Sequence, residues 1–154
     1  NGILFNHESK RRGSNFVTSK VVKTAVRIKY KLETELVLGN MDSSRDWGHS
    51  KDYVRAMHLI LSQNEPDDYV VATGQTRTVR ELCEYVFSKL GLNLDKHLKT
   101  SEKFMRPEEL RYLKGDSSKI REKLKWKPKY SFENLIDEMI EFWELNYDSD
   151  NIKY

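Results

Sequence analysis

Helical and extended segments alternate along this chain, and that alternation constrains its fold more than any other feature. Helical periodicity or helix-capping residues mark five segments, at about 15–31, 50–63, 78–90, 116–124 and 131–146. Short apolar runs, which are typical of buried strands, lie at 2–5, 36–38 and 69–72. Strands that alternate with helices are characteristic of the α/β class. We therefore predict an α/β fold.

Three of the helical segments have clear faces or ends. The first has an apolar face made of Phe16, Val17, Val21, Val22, Ala25, Val26 and Ile28. The last has an apolar stripe at spacings of three and four, made of Phe132, Leu135, Ile136, Met139, Ile140 and Trp143. In the segment at 78–90, Thr78 is the expected N-cap, Glu81 completes a capping box and Gly91 ends the helix. Residues 92–103 have no clear pattern, so a short strand and an exposed loop both remain open there.

Size and charge narrow the class of protein. A chain of 154 residues suits one domain with a substantial core. Its 27 basic and 24 acidic side chains leave a net charge of +3, which gives no general case for nucleic-acid binding. No apolar run approaches the roughly 20 residues of a membrane helix, and no segment resembles a signal peptide. Since the chain starts without methionine and enters an apolar run at once, we interpret it as a fragment of a longer protein.

Cysteine and histidine content bears on the redox compartment and on metals. A single cysteine, Cys83, excludes an intrachain disulfide and fits a reducing cytoplasm. The four histidines have no ligand spacing with one another or with Cys83. We therefore expect no zinc site.

Residues 5–13, with the sequence FNHESKRRG, concentrate charge just before the first helix. Lys10, Arg11 and Arg12 are consecutive cations, and Gly13 follows them. A helix N-terminus attracts anions, and two guanidinium groups can each bind phosphate oxygens bidentately, so the run could hold a phosphate. The alternative is a solvated basic loop, which the residue types alone favour.

Two further stretches carry arginines that could face a ligand. Arg45 follows a strand and precedes Asp46 and Trp47, so it either clamps a diphosphate or pairs with Asp46 in a loop anchored by Trp47. Arg106 precedes a proline that fixes the backbone, and Glu109 could accept hydrogen bonds from ribose hydroxyls. Taken alone, this second stretch is better explained as a helix start with acidic residues at its positive end.

Taken together, these stretches give the chain a strong resemblance to the GDP-mannose 4,6-dehydratases, a family of extended short-chain dehydrogenases/reductases. The matching text is NGILFNHES, RRGSNFVTSK, LGNMDSSRDWGHSKDYVRAM, EPDDYVVATGQTRTVRE, RPEELRYLKGD and KLKWKPKYSFENLIDEMI. It covers nearly the whole chain in family order and corresponds to the C-terminal half of the family. The resemblance implies the final part of an NAD(P)-binding Rossmann-type fold together with the substrate-binding region. Residues 1–13 would form the last Rossmann strand and cofactor loop, and residues 14–154 mainly the substrate-binding region.

The same resemblance implies a reaction and a set of ligand contacts. The family converts GDP-mannose to GDP-4-dehydro-6-deoxy-D-mannose and water with NADP as cofactor, as the first step of GDP-fucose synthesis. The implied NADP contacts are His7 and Arg12. The implied GDP-mannose contacts are Asn6, Lys20, Arg45, Arg106 and Glu109. In a homo-oligomer, the implied contacts with a neighbouring subunit are Arg11, Ser14 and Asn15.

The chain departs from the family pattern at three places. Lys10 replaces the proline that usually separates HES from RR, which adds charge and loosens the loop. Glu108 stands where the family tends to have threonine, and the segment 92–103 is shorter than in many relatives. None of these departures removes an implied ligand contact.

The family's catalytic groups have no counterpart in this sequence. They are a Tyr-x-x-x-Lys pair, a glutamate and a threonine, on a sheet that begins with a glycine-rich phosphate loop, whereas the seven glycines here are dispersed. Tyr85 and Lys89 do have the Tyr-x-x-x-Lys spacing, but the buried stripe of their helix leaves both on its outer side, so we predict no catalytic role for them. We therefore expect the chain alone to be inactive.

Two alternative functions stay open from the sequence. One is a non-catalytic nucleotide-sugar-binding remnant of a truncated or split gene. The other is a different nucleotide-sugar enzyme of the superfamily, such as an epimerase or reductase, and the NHES-x-RRG run argues against it.

Overall fold

A computed structural model of the protein describes residues 1–105 and 110–149. The α-helices are α1 (Val17–Lys29), α2 (Ser50–Leu61), α3 (Val79–Lys89), α4 (Leu94–His97), α5 (Ser118–Leu124) and α6 (Phe132–Glu144). The strands are β1 (Gly2–Leu4), β2 (Asn6–Glu8), β3 (Leu36–Leu38), β4 (Ser44–Arg45), β5 (Trp47–His49), β6 (Tyr69–Val71), β7 (Arg77–Thr78), β8 (Leu98–Thr100) and β9 (Tyr112–Leu113). A 3-10 turn covers Glu102–Phe104. The predicted α/β class is confirmed.

Parallel pairing joins strands that lie far apart in the sequence. β1 pairs with β6, with Gly2 opposite Tyr69, and β2 pairs with β5, with His7 opposite Gly48. β3 pairs in parallel with β8. A three-stranded sheet has the order β7–β4–β9, with β4 antiparallel to β7 and parallel to β9.

Three helices enclose the larger hydrophobic core. It is formed by buried side chains of α1, α3 and α6 together with β3 and Trp47. The stripe predicted on the last helix is confirmed, because its members from Leu135 to Trp143 are buried and Phe132 packs against them. A smaller core joins α2, β6 and α5 around Tyr53 and Trp126. Burying each large apolar side chain contributes about 1.5–3 kcal/mol to the free energy of folding, so both cores stabilise the fold that carries the loops.

Local signals at the helix ends are confirmed in detail. The Thr78 side chain accepts a hydrogen bond from the Glu81 amide, and the Glu81 carboxylate accepts one from the Thr78 amide. The α6 helix has a second capping box, between Ser131 and Asn134. Gly91 has a φ of +69°, as expected of the residue that ends α3.

Several strands escaped the sequence prediction. The charged run at 5–13 contains β2, and the polar loop at 42–48 contains β4 and most of β5. Residues 92–103, left open between a strand and a loop, form α4, β8 and the 3-10 turn. These strands are two or three residues long and largely polar, so main-chain pairing with distant segments determines them, and local periodicity does not. Phe16, expected on the apolar face of α1, is 44% exposed and is the N-cap residue of that helix.

Two negative findings apply to the described residues only. Within them, no helix combines the length and the apolar character needed to cross a bilayer. No three histidine, cysteine, aspartate or glutamate side chains of that part of the chain are grouped so that they could hold a metal ion. Cys83 is a buried thiol, and burial raises its pKa to about 12.

Candidate functional site

A cleft of about 660 Å³ lies between the start of β2, the ends of β3 and β4, and the start of α1. Its wall includes four cationic residues from separate parts of the sequence, Arg12, Lys20, Arg45 and Lys103. Asn6 and Asn15 add amide groups to the same wall. We call this feature the cationic cleft. Its charge and its amide groups suit a polar, anionic ligand.

Arg12 is held from two sides where it enters the cleft. Its Nε atom lies 2.9 Å from Glu8 Oε2, and its guanidinium stacks over the Phe16 ring at 3.5 Å. Glu8 itself is only 2% exposed, and its carboxylate accepts a hydrogen bond from Thr18 Oγ1 at 2.8 Å, whereas its contact with Arg12 is an ion pair without hydrogen-bond geometry. Burial raises the pKa of Glu8, while the Thr18 hydrogen bond and the Arg12 charge oppose that rise.

Lys20 connects α1 to the opposite wall of the cleft. Its Nζ atom donates a hydrogen bond to the Val37 carbonyl at 2.6 Å and lies 4.0 Å from the centre of the Phe104 ring. Burial lowers the pKa of Lys20. The chain segment that carries Phe104 lies against Gly39, where an added Cβ would be 2.3 Å from the Phe104 carbonyl oxygen. The lack of a side chain at Gly39 therefore allows the backbone at Phe104 to lie directly against the residue that follows β3.

Arg45 is fixed by main-chain carbonyls. Its Nη1 atom donates to the Ser44 carbonyl at 2.9 Å and to the Leu110 carbonyl at 2.6 Å. Since β4 pairs with β7 and β9, the backbone of Arg45 is held within a sheet. The guanidinium thus has a defined position in the cleft before any ligand arrives.

Asp46, the residue after Arg45, is a buried hydrogen-bond acceptor next to the cleft. Asp46 is fully buried and accepts hydrogen bonds from the Thr73 amide at 2.9 Å, the Thr73 hydroxyl at 2.6 Å and the Gly74 amide at 2.8 Å. The Gly115 amide lies 3.4 Å from the same carboxylate. Asp46 therefore joins the loop after β6, and the backbone before α5, to the strand that carries Arg45. The sequence interpretation had considered an Arg45–Asp46 pair, but the hydrogen bonds of Asp46 go to these loops.

His7 lies beside the cleft and not among the described residues that line it. Its ring stacks on Tyr53 with 4.8 Å between the centroids. Its Nδ1 atom lies 2.8 Å from the Phe5 carbonyl, so that nitrogen carries the proton in this contact. The Nε2 atom of a neutral His7 ring is then left as a hydrogen-bond acceptor.

The other residues that the resemblance implies as contacts are either exposed or outside the described part of the chain. Arg11, Ser14 and Asn15 are exposed, as a contact with a neighbouring subunit requires, and Asn15 also lines the cleft. Arg106 and Glu109 lie outside the described residues. Glu8 and Asp46 were not singled out from the sequence as site residues, because nothing in their spacing distinguishes a buried carboxylate from a solvated one.

The Tyr85–Lys89 pair is tied to a neighbouring helix. Tyr85 Oη donates to Asp137 Oδ1 at 2.8 Å, and Lys89 Nζ donates to Asp137 Oδ2 at 2.9 Å. Lys89 is exposed, whereas Tyr85 is half-buried and packs against the larger core, so the prediction of an outer position fits Lys89 better than Tyr85. Neither residue lines the cationic cleft. The pair therefore stabilises the packing of α3 against α6.

A second cavity, of about 270 Å³, lies near the start of α6. Its lining includes Trp47, Arg77, Tyr130 and Phe132. Arg77 there is 3.8 Å from the Glu133 carboxylate, which balances its charge. The residues implied as ligand contacts that the structure describes do not line this cavity.

Comparison with known proteins identifies relatives over almost the whole chain. The family model described as GDP-mannose 4,6 dehydratase matches residues 1–139. GDP-mannose 4,6 dehydratase 1 of Arabidopsis thaliana is 52% identical over 141 residues, which cover 92% of this chain and 39% of that protein. The human GDP-mannose 4,6 dehydratase is 42% identical over 157 residues, which cover 91% of this chain and 42% of that protein. The chain thus spans about two fifths of the length of these relatives.

Solved structures share the same fold. RMD from Pseudomonas aeruginosa, complexed with NADPH, matches with a TM-score of 0.86 at 26% identity, over 94% of this chain and 48% of that one. The dTDP-glucose 4,6-dehydratase of Bacillus anthracis, in complex with NAD, matches with a TM-score of 0.80 at 20% identity, over 96% of this chain and 44% of that one. The fold is therefore that of Rossmann-type extended short-chain dehydrogenases/reductases.

Proposed function

The chain belongs to the GDP-mannose 4,6-dehydratase family, and on that premise we propose that it supplies the nucleotide-sugar site of such an enzyme. In this proposal the cationic cleft binds the diphosphate of GDP-mannose, with Asn6, Lys20 and Arg45 as ligand contacts. Arg106 and Glu109, outside the described residues, would complete the contacts with the diphosphate and the ribose. The observation that carries the proposal is that Asn6, Lys20 and Arg45, which lie up to 39 positions apart in the sequence, line one cleft.

The side chains in the cleft suit a diphosphate. Guanidinium groups match the geometry of phosphate oxygens bidentately, and an ammonium group adds a point charge. Arg45 is already oriented by two carbonyls, so less conformational entropy is lost when a ligand binds. Their role in the reaction would be to bind and orient the sugar nucleotide, which can account for several kcal/mol of a barrier, ~7–11 in favourable cases.

We propose NADP as the cofactor, with His7 and Arg12 as its contacts in this chain. The fit is chemical: Arg12 is a fixed cation whose ion pair within the described residues uses Nε, and the His7 Nε2 atom can accept a hydrogen bond. When bound, NADP would supply the hydride-transfer chemistry of the reaction. We further propose that residues 1–13 are the last Rossmann strand and cofactor loop and that residues 14–154 belong mainly to the substrate region. The two parts are in contact, since β1 of the first pairs in parallel with β6 of the second.

Assembly and location complete the proposal. We propose a homo-oligomer in which Arg11, Ser14 and Asn15 contact a neighbouring subunit, as their exposure allows. A buried thiol, Cys83, and the absence of a second cysteine in the sequence are compatible with a reducing cytoplasm.

A calorimetric titration tests the ligand class. The 154-residue chain should bind GDP-mannose and GDP at least about tenfold more tightly than guanosine, because only the first two present a diphosphate to Lys20 and Arg45. Guanosine binding as tightly as GDP would overturn the assignment of the cleft to the diphosphate.

The isolated chain should form no product from GDP-mannose and NADP. Its one Tyr-x-x-x-Lys sequence is Tyr85–Lys89, and both of those side chains are bound to Asp137 outside the cleft. The measurement is an assay for 4-keto sugar formation by the purified chain, with a full-length dehydratase as positive control. Product formation by the chain alone would contradict the account of its catalytic groups.

The rival function is a nucleotide-sugar-binding remnant without catalysis. The reading frame upstream of Asn1 separates the two. An in-frame segment with a glycine-rich loop and a Tyr-x-x-x-Lys pair supports the enzyme, and a stop codon supports the remnant.

A further inference from the structure

A buried carboxylate lies directly behind one of the cations of the cleft. Glu8, the last residue of β2, is 2% exposed, and its Oε2 atom faces both Thr18 Oγ1 and Arg12 Nε. Burial of an ionised carboxylate is costly unless it is paired and hydrogen-bonded. The fold thus places a charge with a specific pair of partners at a position where an apolar residue would have been easier to bury.

The Nε atom and one face of the Arg12 guanidinium contact other side chains, whereas its two terminal nitrogens remain available to a ligand. The Nε atom is held by Glu8 at 2.9 Å, and the flat face is held by the Phe16 ring at 3.5 Å. The two terminal nitrogens carry the remaining donors, and no further ion pair of Arg12 occurs within residues 1–105 and 110–149. Since Arg12 lines the cleft, these donors are the part that a ligand can meet.

We infer that Glu8 is a positioning residue, which orients Arg12 so that the terminal nitrogens of the guanidinium meet a phosphate group in the cleft. Thr18 orients Glu8 in turn. The inference rests on the proposed function, because it takes the ligand of the cleft to be a nucleotide phosphate. An arginine that is already oriented loses less side-chain freedom when the ligand binds, and that difference appears as affinity.

Three variants of the chain, titrated with GDP-mannose and with NADP, test the inference. Arg12→Ala identifies which of the two ligands depends on Arg12. For that ligand, Glu8→Leu should weaken binding by about three- to tenfold, because leucine has a similar size but carries no charge to pair with Arg12. Glu8→Gln keeps an oxygen beside Arg12 Nε and an acceptor for Thr18 Oγ1, so it should lose less affinity than Glu8→Leu, no more than about twofold. Thermal melts of both Glu8 variants show whether the fold is retained.

A double variant separates positioning from a general structural effect. In an Arg12→Ala background, Glu8→Leu should cause no further loss of affinity, because its effect acts through Arg12. Additive losses, or unchanged binding by Glu8→Leu, would overturn the inference and leave the proposed function intact. If Glu8→Leu fails to fold, Thr18→Val replaces it. That variant should weaken binding by a smaller factor, and it should cause no further loss in the Arg12→Ala background. Additive losses, or unchanged binding by Thr18→Val, would again count against the inference. If the unsubstituted chain binds neither ligand, the proposed function fails and the inference fails with it.

Discussion

Arg45→Ala is expected to weaken the binding of GDP-mannose by about ten- to a hundredfold and to leave the binding of NADP nearly unchanged. A hydrogen-bonded charge that contacts a phosphate contributes about 1.5–3 kcal/mol, which corresponds to that loss of affinity. Arg45 comes from β4, whereas His7 lies in β2 and Arg12 in the loop after it, so the loss of Arg45 should spare a cofactor bound by those two residues. Separate calorimetric titrations with each ligand give the two affinities.

Arg80→Ala is a matched control for Arg45→Ala. Arg80 is an exposed arginine on α3 that does not line the cleft, so the variant makes the same change in charge at another place. Its affinity for GDP-mannose should stay within about twofold of the unsubstituted chain. Equal losses in both variants would show that net charge alone, and not a contact in the cleft, sets the affinity.

Asp46→Ala is expected to lower the free energy of unfolding by about 3–5 kcal/mol, the largest loss of stability at the site. The substitution would leave the Thr73 and Gly74 amides without their acceptor and the Thr73 hydroxyl with only the Gln75 carbonyl, and each unsatisfied buried donor costs about 1–3 kcal/mol. For a chain of this size the midpoint of thermal unfolding should fall by roughly 6–20 °C. Circular dichroism melts and urea titrations measure both quantities.

Asp42→Ala is the control for that measurement. Asp42 lies four positions earlier and is exposed, so its replacement should change stability by no more than about 0.5 kcal/mol. A melt of Asp46→Ala that coincides with that of Asp42→Ala would contradict the supporting role of the Asp46 carboxylate.

Elements with a strong local pattern could be predicted from the sequence. The stripe of α6 and the capping box of α3 are set by residues three or four positions apart, so the printed sequence contains all the information that they need. The polar strand β2 could not be found in this way, since its residues Asn6–Glu8 form a strand through pairing with Trp47–His49. The same holds for β8, which pairs with β3 some 60 positions earlier. Long-range pairing leaves no periodic trace in so short a strand.

The residues of the site also divide into those that could be predicted from the sequence and those that could not. Resemblance to the family implied Arg12, Lys20 and Arg45 as ligand contacts, and these three do line one cleft. Whether they contact the ligands assigned to them stays a prediction. Residue spacing alone could not bring them together, because they belong to a loop, a helix and a strand. Glu8 and Asp46 were missed for a physical reason: a carboxylate is usually solvated, and only the folded backbone shows that these two are buried and paired.

The most direct test of the central claim, that the cationic cleft binds GDP-mannose, is an NMR titration of the ¹⁵N-labelled chain with that ligand. The account predicts saturable shifts of the Asn6, Lys20 and Arg45 resonances, fitted by one dissociation constant, with little change at Arg77 and Tyr130 in the second cavity. Shifts confined to the second cavity, or no shifts at millimolar GDP-mannose, would contradict it.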